Sequence, residues 1–147
     1  MPFDLKILEV LTPLDYLTQY CRVSNRRQFQ FKRIFNKYRE RDHRIEYSNL
    51  FPSIVDLHKE NFTRANYDEL CQLVDIDNEM YRFAFEPFIG ILAFSERLLC
   101  NLFLMKTDSD HIILSKDPIE RCDFDSLARK FDGLMISEKM KRLLNSL

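Results

Sequence analysis

Apolar residues recur along this chain at the spacing i, i+3, i+4 and i+7, which places them on one face of a helix. The spacing occurs in residues 31–38, 67–74 and 124–131, and a weaker copy runs from residue 98 to residue 105. Most copies are followed by a polar stretch and then by a second helix-like segment. Because a single helix–loop–helix unit cannot bury its own apolar face, the pattern predicts an all-α protein whose units pack in pairs.

Residues that cap helices indicate where three of these helices begin. Thr12 followed by Pro13 predicts an additional N-terminal helix. Ser24 predicts the start of the helix that contains the first apolar group. Asn66 followed by Glu69 resembles a capping box and predicts the start of the helix that contains the second group. The paired units are therefore expected to follow an extra helix.

Composition narrows the classes of protein to consider. The chain has 147 residues, of which 46% are hydrophobic and only two are glycine. This length suits one domain or two small lobes. Glycine supplies the left-handed turns of β-rich folds and the phosphate loops of nucleotide-binding enzymes, so its scarcity disfavours both classes.

Cysteine use and the lack of targeting signals predict a cytoplasmic protein. The four cysteines form no C-x-x-C pair and are expected to be reduced; they are Cys21, Cys71, Cys100 and Cys122. The first residues lack the basic stretch and apolar run of a signal peptide. The most apolar segment, residues 87–105, is interrupted by the charges of Glu96 and Arg97. Such charges predict a buried helix and not a membrane span.

Charge is unevenly distributed, although the whole chain has a net charge of -1. Residues 22–44 contain nine Lys or Arg and two acidic residues, whereas residues 56–86 contain eight acidic residues and three basic ones. On a helix, Arg26, Arg33 and Lys37 share one face opposite the first apolar group. This basic face predicts either a solvated surface or contact with an acidic partner. Nucleic acid is the least favoured partner, because the aromatic residues of this helix are expected to face the core.

Two segments of the chain resemble the EF-hand superfamily, which includes calmodulin and troponin C. Residues 31–38 are similar to the first helix of a calmodulin-type hand, and residues 74–79 with residues 83–88 are similar to a second hand. The resemblance implies all-α lobes made of paired helix–loop–helix units. It divides the chain into an N-terminal extension over residues 1–23, a first pair over residues 24–94, and a truncated second pair over residues 95–147.

An EF-hand loop binds calcium through oxygen ligands that include positions 1, 3, 5 and 12, usually with glycine at position 6. Counting from residue 75 places four acidic residues at these ligand positions: Asp75, Asp77, Glu79 and Glu86. Met80 stands in place of the glycine and Arg82 at an apolar position, so a solvated acidic loop is favoured over a calcium site. The first loop begins with a cation, Arg39, which disfavours calcium. The third loop has only half of the required ligands, and the fourth is too short to surround an ion.

The resemblance implies a non-catalytic interaction or scaffold protein, largely independent of calcium, that binds a partner's amphipathic helix or a cytoskeletal assembly through apolar grooves. Candidate groove residues of the first pair are Leu50, Phe51, Ile54, Val55, Phe88, Ile91 and Leu92. Those of the second pair are Met105, Met135, Met140, Leu143 and Leu144. Relatives of this kind often lie on cytoskeletal or ciliary assemblies, which implies a similar localisation here.

Three alternatives to the scaffold interpretation are open. A calcium sensor would bind Ca²⁺ at the single loop of residues 75–86. Ca²⁺ is the one cofactor that the sequence suggests. A binder of acidic lattices such as tubulin, or of nucleic acid, would use the basic face. If the chain is an unrelated helical bundle, the similarity of its loops to EF-hand loops is coincidental. No enzyme is expected, because His43, His58 and His111 lack metal-ligand spacing and the chain has no nucleophile or phosphate-loop motif.

Overall fold

Helices account for most of the chain that the structure describes. The computed structural model describes residues 4–77, 79–106 and 133–147. These residues are mostly helical, which agrees with the predicted all-α class. The elements are α1 (Pro13–Tyr20), α2 (Asn25–Tyr38), β1 (Ile45–Glu46), α3 (Tyr47–His58), α4 (Arg64–Val74), β2 (Arg82–Phe83), α5 (Phe85–Lys106) and α6 (Glu138–Ser146). Short 3₁₀ helices precede α1 and follow α3, at Leu5–Glu9 and Lys59–Asn61.

The helix starts follow from side-chain caps. The predicted extra helix α1 is confirmed, because the Thr12 hydroxyl accepts a hydrogen bond from the Asp15 amide and the Asp15 carboxylate accepts one from the Thr12 amide. The predicted cap Ser24 is also confirmed. The prediction for α4 was displaced by three residues, since Thr63 is the cap. Asn66 is its partner inside the helix and accepts a hydrogen bond from the Thr63 amide at 2.9 Å.

The strands β1 and β2 each lie between two helices, in the units α2–β1–α3 and α4–β2–α5. Their two-residue strands pair antiparallel, with Ile45 opposite Phe83. The side chains of both residues are buried in the core. A further main-chain hydrogen bond joins the units just beyond the strands, from the Tyr47 amide to the Tyr81 carbonyl at 3.1 Å. The two loops are therefore held together at their centres.

One hydrophobic core connects these units with α1 and α6. Helix α1 approaches α5 closely at Gly90, where a Cβ atom would lie 2.9 Å from the carbonyl oxygen of Leu17. Glycine permits this backbone contact, which any larger residue would obstruct. Helix α5 continues without a break through the boundary expected at residues 94 and 95. The described part of the expected second pair, α6, shares the core of the first pair. Residues 107–132 lie outside the described residues.

Candidate functional site

The loop between α4 and β2 contains the four candidate calcium ligands. Asp75 follows α4 in a left-handed conformation (φ 59°, ψ 45°), and the Lys139 ammonium of α6 donates a hydrogen bond to its carboxylate at 2.7 Å. Asp77, Glu79 and Glu86 are exposed. Within the described part of the chain, no group of three or more His, Cys, Asp or Glu residues could hold a metal ion. A protein cation thus lies beside the first candidate ligand.

Ion pairs join this loop region to the loop between α2 and β1. The Arg82 guanidinium contacts the Asp42 carboxylate at 2.5 Å and the Glu46 carboxylate at 2.8 Å. These carboxylates raise the pKa of Arg82. In the EF-hand pattern that the sequence resembles, an apolar residue stands at the position of Arg82. Charge pairing between side chains thus supports the contact that the strands make.

The residues predicted to form the groove of the first pair are divided between the core and the surface. Five of them are fully buried in the protein's own core: Leu50, Ile54, Phe88, Ile91 and Leu92. Helix α1 packs against α5 and contributes Tyr16 and Leu17 to the same core. These five residues therefore do not line a surface groove in this structure. Apolar periodicity identifies a helix face that becomes buried, but it does not distinguish a partner helix from one of the chain's own helices.

The residues expected to form the second groove are also separated in the structure. Met140, Leu143 and Leu144 lie on α6 and are buried in the common core. Met135 is 87% exposed. Met105 belongs to the last turn of α5, and its side chain lies outside what the structure describes. Among the described residues, the predicted set is thus divided between core and surface and does not form one groove.

A surface groove lies beside α3, where Phe51 and Val55 are partly exposed. Its cavity volume is about 710 Å³. The rings of Phe51 and Phe62 have centroids 6.5 Å apart, and the Phe62 side chain is buried. The groove is lined by Tyr38, Phe51, Pro52, Val55, Asp56, Lys59, Glu60 and Phe62. We call it the α3 groove. It is mainly apolar, with charged residues among those that line it.

A second depression of about 380 Å³ lies between α2 and α3 and is called the α2/α3 cleft. It is lined by Gln30, Arg33, Ile34, Lys37, Asp56, Leu57 and Lys59. The ammonium groups of Lys37 and Lys59 donate hydrogen bonds to the Asp56 carboxylate at 2.7 Å and 3.1 Å. These bonds hold the pKa of Asp56 at about 2. At neutral pH the cleft therefore presents three cations and one carboxylate. Asp56 and Lys59 line both the cleft and the α3 groove.

The basic face of α2 is exposed at Arg26, Arg33 and Lys37. The expectation that the aromatic residues of this helix face the core is wrong at Phe29, which is 70% exposed. Phe29 lies three residues after Arg26 and four before Arg33, and is therefore on their side of the helix. The sequence did indicate that Phe29 is exposed, because Phe29 falls outside the apolar spacing that begins at Phe31.

A buried polar contact joins α3 to α5. The Nε2 atom of His58 lies 2.8 Å from the Ser95 hydroxyl, and that hydroxyl donates its proton to the Leu92 carbonyl at 2.6 Å. His58 is therefore the donor in the first bond. Ser95 is fully buried, and its proton is engaged by the main chain. This geometry is that of a structural contact and differs from that of a serine nucleophile activated by a histidine base.

An ion pair lies beside this contact. Arg27 of α2 approaches the Glu96 carboxylate at 3.2 Å, and Glu96 is only 7% exposed. Burial raises the pKa of Glu96 to about 7, although Arg27 acts in the opposite direction. Burial, with a smaller effect of Arg27, lowers the pKa of His58 to about 4. From the sequence, Glu96 was used only as evidence against a membrane span. The ion pair was not predicted, because Arg27 is distant from Glu96 along the chain.

The structure describes three of the four cysteines. Cys21, Cys71 and Cys100 are buried, and the described residues form no disulfide bond with them. Burial raises the pKa of the Cys71 thiol, so this thiol stays protonated at neutral pH. Cys122 lies outside the described residues.

Comparison with protein-family models, with curated proteins and with solved structures gives no match to this chain. None of the helices in the described part of the chain combines the length and the apolar character that crossing a membrane requires.

Proposed function

We propose that this protein is a non-catalytic interaction protein, built on a calmodulin-like pair of helix–loop–helix units, that binds an amphipathic helix of a partner protein in the α3 groove. The order helix, short strand, helix occurs twice, and the two strands pair antiparallel. This arrangement supports the resemblance to the EF-hand superfamily.

The α3 groove is the observation that most directly supports this function. Phe51, Pro52 and Val55 are adjacent, apolar and at least partly exposed. Surface clusters of apolar residues with a charged rim often mark protein-binding sites. An amphipathic helix presents apolar side chains at i, i+3, i+4 and i+7, and such a stripe suits a groove beside another helix.

Binding largely independent of calcium is supported by the charges of the loops. The Lys139 ammonium neutralises Asp75, and Arg82 holds Asp42 and Glu46. These contacts join the loops to each other and to α6 through the protein's own charged side chains.

The proposal is tested by measuring, by calorimetry, the binding of a synthetic helical peptide. The peptide has leucine at i, i+3, i+4 and i+7 and uncharged residues elsewhere. Val55→Gln places a polar group in the α3 groove, and we expect the dissociation constant to rise about tenfold, the effect of losing roughly 1.4 kcal/mol of apolar contact. Val10→Gln is the matched control, because Val10 is 80% exposed and does not line the groove.

Circular dichroism of both variants checks that the helices remain intact. Unchanged affinity in the Val10→Gln variant and weaker binding in the Val55→Gln variant support the proposal. Equal affinity of both variants and the wild type, or the absence of peptide binding, would contradict it.

A further inference from the structure

We propose that the α2/α3 cleft binds carboxylate side chains of the helix that occupies the α3 groove, so that the preferred partner is an acidic amphipathic helix. This inference rests on the proposed function and specifies the chemistry of the partner.

Continuity of the two depressions is the first observation in its favour. Asp56 and Lys59 line both the α3 groove and the α2/α3 cleft. A helix whose apolar stripe lies against Phe51 and Val55 therefore has polar side chains beside Lys59. Glutamate at these flanking positions would extend into the cleft.

The charge of the cleft is the second observation. Lys37 and Lys59 share the single carboxylate of Asp56, which leaves an excess of positive charge. Arg33 forms no ion pair with any residue that the structure describes. A guanidinium group binds a carboxylate through two parallel hydrogen bonds, which favours Arg33 as the principal contact.

The apolar residues of the cleft favour a protein ligand over nucleic acid. Ile34 and Leu57 are half-buried and line the same cleft as the cations. They can contact the methylene groups of a glutamate side chain, which a phosphate group lacks.

Two peptides and two variants test the inference. The peptides share the leucine stripe and differ only in having glutamate or glutamine at the flanking positions. Arg33→Glu reverses a charge in the cleft, and Lys32→Glu makes the same change on an exposed residue of the same helix that does not line the cleft. Affinities are measured by calorimetry at low and at high ionic strength.

We expect the wild type to bind the glutamate peptide more tightly than the glutamine peptide, with the difference decreasing as salt increases. Arg33→Glu should raise the dissociation constant of the glutamate peptide at least about fivefold, as expected when an exposed attraction becomes a repulsion. It should leave the affinity for the glutamine peptide unchanged. Lys32→Glu should change neither affinity by more than about twofold.

Four outcomes would overturn the inference. Equal binding of both peptides, or equal effects of the two variants, would overturn it while leaving the proposed function intact. Absence of binding by either peptide would overturn the inference and the proposed function together. Tight binding of a single-stranded RNA oligonucleotide that depends on Arg33, without preference for the glutamate peptide, would assign the cleft to nucleic acid instead.

Discussion

Burial controls the charge of two side chains between α3 and α5. His58 has its pKa lowered to about 4, so it is neutral at physiological pH. Glu96 has its pKa raised to about 7, so a large part of it is protonated there. Both changes disfavour the charged form, and they have opposite consequences for the pH dependence of stability.

The sign of each effect follows from linkage. The pKa of Glu96 is above its unfolded value of 4.5, so its contribution is fully present below pH 4.5 and is lost as the pH rises to about 7. The pKa of His58 is below its unfolded value of 6.5, so its contribution is present above pH 6.5 and is lost as the pH falls to about 4. Between pH 4.5 and 6.5 the two slopes oppose each other.

We therefore predict a nearly flat stability profile for the wild type in this interval and a sloping one for Glu96→Gln. In the variant only His58 contributes, and the free energy of unfolding should rise with pH by up to about 3 kcal/mol. Urea unfolding at a series of pH values measures both profiles. Parallel profiles for the wild type and the variant would show that Glu96 does not titrate in this range.

The contact between Lys139 and Asp75 leads to a prediction about calcium. Because the ammonium group already neutralises the first candidate ligand, millimolar Ca²⁺ should leave the melting temperature of the protein unchanged relative to an equal concentration of Mg²⁺. Thermal unfolding followed by fluorescence measures this. A rise of several degrees that is specific to Ca²⁺ and disappears in Glu86→Gln would instead favour the calcium-sensor alternative.

Individual helices were the most predictable level of the structure, because their apolar spacing and caps are local. The groups at residues 31–38 and 67–74 correspond to α2 and α4, and the cap at Thr12 begins α1 as expected. What covers each helix was not predictable. The approach of Leu17 to Gly90 depends on tertiary contact between α1 and α5, and the sequence around Gly90 gives no sign of it.

Substitutions in α6 test whether this helix belongs to the common core. Leu143 is fully buried in the common core, so Leu143→Ala should lower the free energy of unfolding by about 2–5 kcal/mol. Asn145 is exposed on the same helix, and Asn145→Ala should change it by less than about 1 kcal/mol. Urea denaturation measures both. Similar stabilities for the two variants would mean that α6 is not part of this core.

In the whole molecule, the chain's own helices cover apolar helix faces that were assigned to a partner from the sequence. Helix α1 packs against α5, and α6 packs against α4. No described residue fills the α3 groove or the α2/α3 cleft. The sequence predicted the parts of this surface that lie on one helix face, such as Val55 and Arg33. It did not predict the contact of Asp56 with Lys37, which forms only when α2 and α3 pack together.

The central claim is that a partner helix binds in the α3 groove, and chemical-shift mapping tests it most directly. Titrating the uncharged peptide into ¹⁵N-labelled protein should shift the backbone amide signals of Phe51, Val55 and Phe62, which lie in the α3 groove. The signals of α1 and α6 should change little, because these helices are packed into the core. Shifts concentrated on α1 and α6, or no shifts at saturating peptide, would contradict the claim.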